Sequence, residues 1–275
     1  MTRKVALVTG ASSGIGTEVA LALLDRGYGA YGAARRVDRM AQIAERGGVA
    51  LPLDLTDERS IEACVSTVLE KEGRLDVLVN NAGYGSYGAI EDVPLAEARR
   101  QFEVNLFGLA RMTQLVLPAM RKQGRGHVFN VSSIGGKVFT PMGGWYHATK
   151  HALEGWSDVL RMEVEPFGIH VVIIEPGAIA TEWGGIARDS LLATSGEGAY
   201  RELARGVANG LKPSGIPGSP PRVVADTVVR ALAARRPRTR YAVGAGARPI
   251  LLARALLPDR AYDGVLRRVM RMLPS

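Results

Sequence analysis

The stretch Val5-Ala6-Leu7-Val8-Thr9-Gly10-Ala11-Ser12-Ser13-Gly14-Ile15-Gly16 decides the fold, because three structural signals stand in it in a fixed order. The uncharged, partly β-branched run 5–9 predicts a strand buried on both faces. Gly10, Gly14 and Gly16 punctuate a turn, and residues 17–26 carry the period of a helix. A strand, a glycine turn and a helix start form an anion site, since free backbone N–H groups and the positive end of the helix dipole converge there. The spacing is Gly-x-x-x-Gly-x-Gly, not the Gly-x-Gly-x-x-Gly of the common dinucleotide fingerprint. No Lys-Ser or Lys-Thr follows the last glycine, so the turn is not a Walker-type loop. Gly10, Ser12, Ser13, Gly14, Ile15 and Gly16 are expected to cradle a dinucleotide pyrophosphate.

Outward from this turn, short apolar runs alternate with helix-length patterns. Strands are predicted at 5–9, 30–34, 49–53, 77–80, 127–131, 170–174 and 241–243. Helices are predicted at 14–26, 37–46, 57–72, 95–123, 145–166 and 221–236. Such alternation specifies an α/β fold: a Rossmann-type doubly wound sandwich, its mostly parallel seven-stranded sheet covered by helices on both faces. Residues 182–221 break the rhythm, being rich in Gly, Ser and Pro, and read as a long lid loop with one or two short helices. The organisation expected is one dinucleotide-binding domain over 1–240, lid included, and a basic helical extension over 241–275.

The chain has 275 residues, enough for a large buried core, and its single thiol, Cys64, has no partner within the chain. With no Cys/His cluster at zinc spacing, a reducing, cytoplasmic setting is expected. The longest charge-free run, 77–90, has 14 residues, short of the roughly 18 that a membrane helix needs. The net charge of +8 suggests nucleic acid until it is divided. Residues 1–219 hold 23 basic and 24 acidic side chains, whereas 222–275 hold 12 Arg against Asp226, Asp259 and Asp263. A basic tail on a neutral body is not the continuous basic face of a nucleic-acid reader.

The second strand addresses the choice between NAD and NADP. About 20 residues past the glycine loop, an NAD enzyme places an acid on the ribose hydroxyls, and an NADP enzyme places Arg near the 2′-phosphate. Here the strand ends Gly32-Ala33-Ala34-Arg35-Arg36, without an acid. Two guanidiniums able to fork onto a phosphate favour NADP(H).

Further marks follow in order: Asp54-Leu55, Asn80-Asn81-Ala82-Gly83, Asn105, Ser133, Tyr146-x-x-x-Lys150, and Pro176-Gly177 with Thr181. Together with Thr9-Gly10-x-x-x-Gly14-x-Gly16, over about residues 3–185, the set resembles the short-form, single-domain branch of the short-chain dehydrogenase/reductase family. The resemblance implies a catalytic group of Asn105, Ser133, Tyr146 and Lys150. Tyr146 and Lys150 share a helix face one turn apart. A phenol ionises near pH 10 and is a poor base at neutral pH, but an adjacent ammonium would lower that value. Tyr146 is then expected to exchange a proton with the substrate oxygen while hydride moves to or from the nicotinamide.

By the same resemblance, Ser133 hydrogen-bonds the substrate oxygen and Ser132 is structural. Asn105 holds a water for a proton relay through Lys150, which also meets the nicotinamide ribose. Asn105, a poor helix former among Val104, Leu106 and Phe107, reads on its own as a kink or a buried hydrogen bond. Asp54 and Leu55 resemble the pair at the adenine ring, although Asp54 equally suits a helix cap. Ala82 and Gly83 let backbone approach the cofactor, while Asn81 suits sheet stabilisation. Pro176, Gly177 and Ile179 turn toward the nicotinamide, and Thr181 resembles the hydroxyl that holds its carboxamide. His147 and His151 stand at i and i+4, but Ala148 breaks the zinc-protease pattern, so no metal site is expected.

Candidate pocket segments 84–90, 134–145 and 182–211 offer Tyr84, Tyr87, Val138, Phe139, Met142, Trp145, Trp183, Ile186, Leu191 and Leu192. Such walls favour a small lipophilic carbonyl or alcohol substrate over a charged one. In the tail, Tyr262, Val265, Leu266, Val269, Met270 and Leu273 share a helix face, with Arg260, Arg267, Arg268 and Arg271 mainly elsewhere. That helix suits docking on the body or on a second copy, or else contact with an anionic membrane surface. The reading is an NADP(H)-dependent oxidoreductase interconverting a lipophilic alcohol and its ketone or aldehyde. The alternatives are a catalytically silent NADP(H)-sensing regulator and a membrane-surface adaptor acting through the Arg tail.

Overall fold

The run 5–9 folds as strand β1, Val5–Thr9, with every residue buried, as an uncharged strand between two helical layers requires. The computed structural model describes residues 3–211 and 217–272. After β1 come α1 (Gly14–Asp25), β2 (Gly29–Ala34), α2 (Ala41–Glu45), β3 (Val49–Pro52), α3 (Glu58–Glu72), β4 (Val77–Asn80), α4 (Leu95–Phe102) and α5 (Gly108–Gln123). The chain continues through β5 (Gly126–Val131), α6 (Gly144–Val164), β6 (Ile169–Pro176), α7 (Trp183–Ser195), α8 (Arg201–Gly210), α9 (Arg222–Ala233), β7 (Arg240–Val243), α10 (Ala247–Leu256) and α11 (Asp259–Met272).

The seven strands form one sheet in the order β3-β2-β1-β4-β5-β6-β7, and every neighbouring pair is parallel. Two apolar layers clamp it. Val19 and Leu23 of α1 with Val224 and Val228 of α9 cover one face. Val65 and Val68 of α3, Met112 and Val116 of α5 and Leu160 of α6 cover the other. Strand order reverses between β1 and β4, so their carboxyl ends open a crevice, the place where such sheets bind ligands.

Three segments differ from expectation. The single helix predicted over 95–123 is α4, a π-helical turn Glu103–Phe107, and α5. Asn105 lies in that turn and spends its amide on the backbone of Tyr84, so a local widening serves a side-chain bond, as π-turns commonly do. The helix predicted over 37–46 is a 3₁₀ turn, Val37–Met40, followed by the short α2. The lid expected over 182–221 as a loop with one or two short helices has two, α7 and α8, which make up most of it; its residues 212–216 lie outside the described residues. Low intrinsic propensity is overridden there by packing: Ala187 and Leu191 of α7 meet Ala204, Val207 and Ala208 of α8 in a third apolar cluster.

Candidate active site

The glycine turn is shaped by backbone meeting backbone. Gly10 and Gly14 take left-handed φ values of +68° and +56°, which favour glycine. A Cβ on Gly16 would stand 2.3 Å from the Gly10 carbonyl oxygen, and one on Gly10 2.8 Å from the Ala82 Cα. The end of β4 is stapled to the end of β1: Asn81 and Ala82 each donate their backbone N–H to Thr9 Oγ1 at 3.0 Å. Asn81 Nδ2 donates to the carbonyls of Thr9 at 2.9 Å and Gly10 at 3.3 Å. Asn81 therefore acts on the framework, while Ser12, Ser13 and Ile15 carry the chain into α1. This close-fitting, glycine-rich turn at a helix N-terminus fits a pyrophosphate.

At the end of β2, Arg36 Nη2 donates to Ser13 Oγ at 3.3 Å, so one guanidinium already leans on the glycine turn. Arg35 faces Asp54 instead. Burial opposes the Asp54 charge, but bonds from Thr56 and the charges of Arg35 and Arg100 hold its carboxyl below the usual range. Asp54 accepts from the backbone N–H and hydroxyl of Thr56 at 2.9 and 2.8 Å, and Leu55 beside it is buried. The cap of α3 is Asp57, which accepts from Arg59 N–H at 3.0 Å.

Helix α6 brings Tyr146 and Lys150 to the crevice from one side, and the end of β5 brings Ser133 from the other. Tyr146 is 7% exposed. Burial pushes its phenol up to about 12, with the hydrogen bond to Ser133 pulling the other way. Ser133 opens a 3₁₀ turn, and its Oγ accepts the Gly135 N–H at 3.0 Å. Ser132 ties β5 to β6 through its N–H, 2.8 Å from the Ile174 carbonyl. Lys150 Nζ donates to the Val131 carbonyl at 2.9 Å; burial lowers its ammonium to about 8, opposed by Glu154. Lys150 is not among the groups acting on the phenol, so the expected lowering of Tyr146 is not met here. The phenol keeps its proton at neutral pH.

Asn105, fully buried, accepts the Tyr84 N–H at 3.1 Å and donates to the Tyr84 carbonyl at 2.9 Å and to Thr149 Oγ1 at 3.1 Å. Gly83 lies between it and the lysine: a Cβ there would be 3.0 Å from Asn105 Oδ1 and 3.7 Å from Lys150 Nζ. The turn after β6 closes on the same crevice. At Pro176-Gly177 a Cβ on the glycine would meet the Ala245 carbonyl at 2.3 Å. Ile179 bridges to Ser219, and Thr181 Cγ2 sits 2.9 Å from where Gly14 would carry a Cβ. The residues named from sequence thus converge on one cleft, Asp54, Leu55 and Arg35 at its far end.

Over the phenol lies an aromatic cover. The rings of Tyr87 and Trp183 stand 5.8 and 5.1 Å from Tyr146, and Met142 completes the cluster. Tyr84 and Trp145, expected in this wall, are elsewhere. The Tyr84 hydroxyl donates to Glu97 at 2.8 Å, and Trp145 lines a cavity of about 330 Å³ with Leu95, Phe102 and Phe107. His147 is buried, bridging the Gly135 carbonyl and Thr140 at 3.0 Å each. His151 bonds the His147 carbonyl at 2.9 Å. Behind Lys150 the sequence reading missed a charged network. Arg240 reaches Glu154 at 3.0 Å and Glu175 at 3.5 Å, and Lys137 reaches Glu154 at 3.2 Å. Its one sequence signal is that Glu154 lies a helical turn beyond Lys150.

The chain is similar to known proteins. The profile of the short chain dehydrogenases matches residues 4–190. A short-chain dehydrogenase structure from Streptomyces avermitilis superposes with a TM-score of 0.83 at 36% identity, covering 100% of both chains. The 3-ketodihydrosphingosine reductase of Bacteroides thetaiotaomicron is 33% identical over 97% of this chain and 98% of its own. The NADPH-dependent 3-dehydrocapnine reductase of Ornithobacterium rhinotracheale is 33% identical over 98% of both chains. With the glycine turn, the Tyr146–Lys150 helix and a profile match over most of its length, the chain belongs to the short-chain dehydrogenase/reductase family of oxidoreductases.

Proposed function

We propose that the protein reduces a lipophilic ketone with NADPH. The observation that carries this reading is a buried, protonated Tyr146 bonded to Ser133 beneath an apolar lid. Burial keeps this phenol protonated at neutral pH, the form that can give a proton to a carbonyl oxygen. Bound NADPH would supply the hydride to the carbonyl carbon. Tyr146 then gives its proton to the carbonyl oxygen, which Ser133 Oγ orients. Lys150 and Asn105, held at Val131 and Tyr84, line the route by which the phenol recovers its proton. Gly10, Gly14, Gly16 and the start of α1 hold the pyrophosphate. Arg35 and Arg36 address the 2′-phosphate, Asp54 and Leu55 the adenine, and Ile179 and Thr181 the carboxamide.

The names of two relatives, reductases of 3-ketodihydrosphingosine and 3-dehydrocapnine, support a long-chain ketone as the substrate class. So does a lid whose inward residues are Trp183, Ala187 and Leu191. A silent NADP(H) sensor would have no need of Ser133 beside Tyr146. We read the tail as a docked cover and not as an adaptor: Tyr262 of α11 packs edge-on against Phe139 at 5.1 Å. Arg254 lies over both rings, at 5.7 and 5.3 Å. Of the predicted tail face, Leu273 and the side chains of Met270 and Arg271 lie outside the described residues. Among the described residues no helix is long and apolar enough to cross a membrane.

Cofactor consumption against a panel of ketones of increasing chain length tests the reading. NADPH is expected to be oxidised, fastest with the long apolar ketones. Replacing Arg35 and Arg36 by Ala should raise the KM for NADPH at least about tenfold, as the loss of charge-assisted bonds does, and leave that for NADH unchanged. Equal changes in the two would remove the case for NADPH.

A further inference from the structure

Glu182 immediately precedes α7, and its two carboxylate oxygens reach two different arginines. Oε2 lies 3.2 Å from Arg36 Nη2 and Oε1 3.1 Å from Arg39 Nη1. The same Arg36 nitrogen donates to Ser13 at the mouth of the glycine turn, at 3.3 Å. Three borders of the dinucleotide cleft, the glycine turn, the turn after β2 and the lid, are therefore joined through one guanidinium.

The two ends of α7 are held differently. Near its carboxyl end, Ser190 Oγ takes the Tyr87 N–H at 3.2 Å, and the buried Ser195 Oγ takes the Ala89 N–H at 2.9 Å and donates to Asp92 at 2.6 Å. At its amino end stand the Glu182 ion pairs, all three partners about half exposed, and Trp183 lying across Tyr146. The anchored end can act as a hinge. The chain entering the amino end is tied by Ala178 and Ala180 to Ala245 and Ser219, so a movement there would pivot beyond Ala180 and carry Trp183 with it.

We propose that Glu182 is a specificity determinant carried on the lid: it competes with the 2′-phosphate of the cofactor for Arg36, Arg39 holding its other oxygen, so that a phosphorylated dinucleotide releases α7 and an unphosphorylated one does not. The inference rests on the NADPH reading above and adds the group that opposes it. A phosphate monoester brings nearly two negative charges and three acceptor oxygens to the same guanidinium, against one charge from a carboxylate. It wins the competition, and the displaced carboxylate takes the lid end with it. Exposed ion pairs are weak, so the competition is worth about three- to tenfold in affinity and not more. Binding order follows: the phosphorylated cofactor enters first, and the ketone reaches Tyr146 only after Trp183 has moved.

Fluorescence titration reads this without turnover, because Trp183 adjoins Glu182. In Glu182→Gln, which keeps shape and removes charge, the Kd for NADPH should fall about three- to tenfold, while the Kd for NADH stays within twofold. Adenosine 2′,5′-bisphosphate should change the tryptophan emission of the wild-type protein where AMP does not. In Glu182→Gln that difference should be lost. An unchanged NADPH affinity in Glu182→Gln, or equal tightening of NADH, overturns the latch. Arg36→Ala separates the two readings. If it leaves NADPH affinity unchanged, the 2′-phosphate assignment itself fails. If it weakens NADPH binding while Glu182→Gln tightens nothing, only the latch fails.

Discussion

Two walls enclose the cleft, and they are held by different forces. The wall of β1, α1 and the end of β4 is backbone against backbone: Gly10, Gly16 and Ala82 approach so closely that a single added carbon would collide. The opposite wall, α7 and α8, is built from side chains, with aromatic contacts at Trp183, small apolar residues at Ala187 and Ala204, and half-exposed ion pairs at Glu182. Contacts of the first kind fix residue identity. Contacts of the second kind ask only for apolar volume, which many residues supply. On the function proposed above, the cofactor would meet the first wall and the substrate the second.

The chemistry sits where the walls meet, so Tyr146→Phe should have the largest effect. It keeps the ring contacts with Tyr87 and Trp183 and removes only the proton donor. Ketone reduction should fall by a factor of about 10² to 10⁴, with cofactor affinity and melting temperature close to wild type. Turnover equal to wild type would remove Tyr146 from the mechanism.

A pair of glycines tests the walls directly. Gly16→Ala places a Cβ 2.3 Å from the Gly10 carbonyl oxygen, which the stapled β1–β4 junction has no room to absorb. We expect a loss of about 2–3 kcal/mol in stability, the upper range for overpacking, together with weaker dinucleotide binding. Gly185→Ala, inside α7, meets nothing within 4 Å. It should stabilise the protein by about 0.4–1 kcal/mol through helix propensity and the unfolded state. Thermal denaturation of the two variants decides; equal effects would mean that the walls do not differ in the way described.

The same contrast sets what was legible in the sequence. The glycine turn could be read because it needs a particular residue type at a fixed spacing, and the parallel sheet because short apolar runs alternate with helical patterns; Tyr146, Lys150, Ser133 and Asn105 were named through the family resemblance, since a Tyr and a Lys one turn apart say little alone. The lid could be read only in part: Gly, Ser and Pro between 182 and 221 suggested a loop with one or two short helices, and contact between Leu191, Ala204 and Val207 makes the segment mostly helical. Tyr84 and Trp145 were assigned to the pocket for being aromatic and near in sequence, but direction is set by tertiary contacts, here Glu97 and Phe102. The Arg240 network was invisible for another reason. Arg240 stands 86 positions from Glu154 and 65 from Glu175, and β7 comes beside β6 through the sheet.

That network supplies the smallest effect, and its sign follows from burial. Glu154 and Glu175, 3% and 4% exposed, share Arg240 behind Lys150. Burial first, and the charge of Glu154 next, push the Glu175 carboxyl up to about 7 against the pull of Arg240 and Lys137. In the unfolded chain the same carboxyl ionises near pH 4.3. Between about pH 4.3 and 7 the folded protein therefore holds a proton that the unfolded chain has released. Stability must fall as pH rises through that window. Glu175→Gln is neutral at every pH and escapes the decline. Its melting temperature should match wild type near pH 4.5 and exceed it at pH 8, by a few degrees at most, since Arg240 still pairs with Glu154 and Asp158. Parallel curves would mean that Glu175 is ionised throughout. A protonated Glu175 leaves Arg240 to Glu154, and Glu154 is the group that opposes the effect of burial on Lys150. The layer of α6, β6 and β7 would then carry, behind the reacting atoms, the charge balance that keeps Lys150 an ammonium.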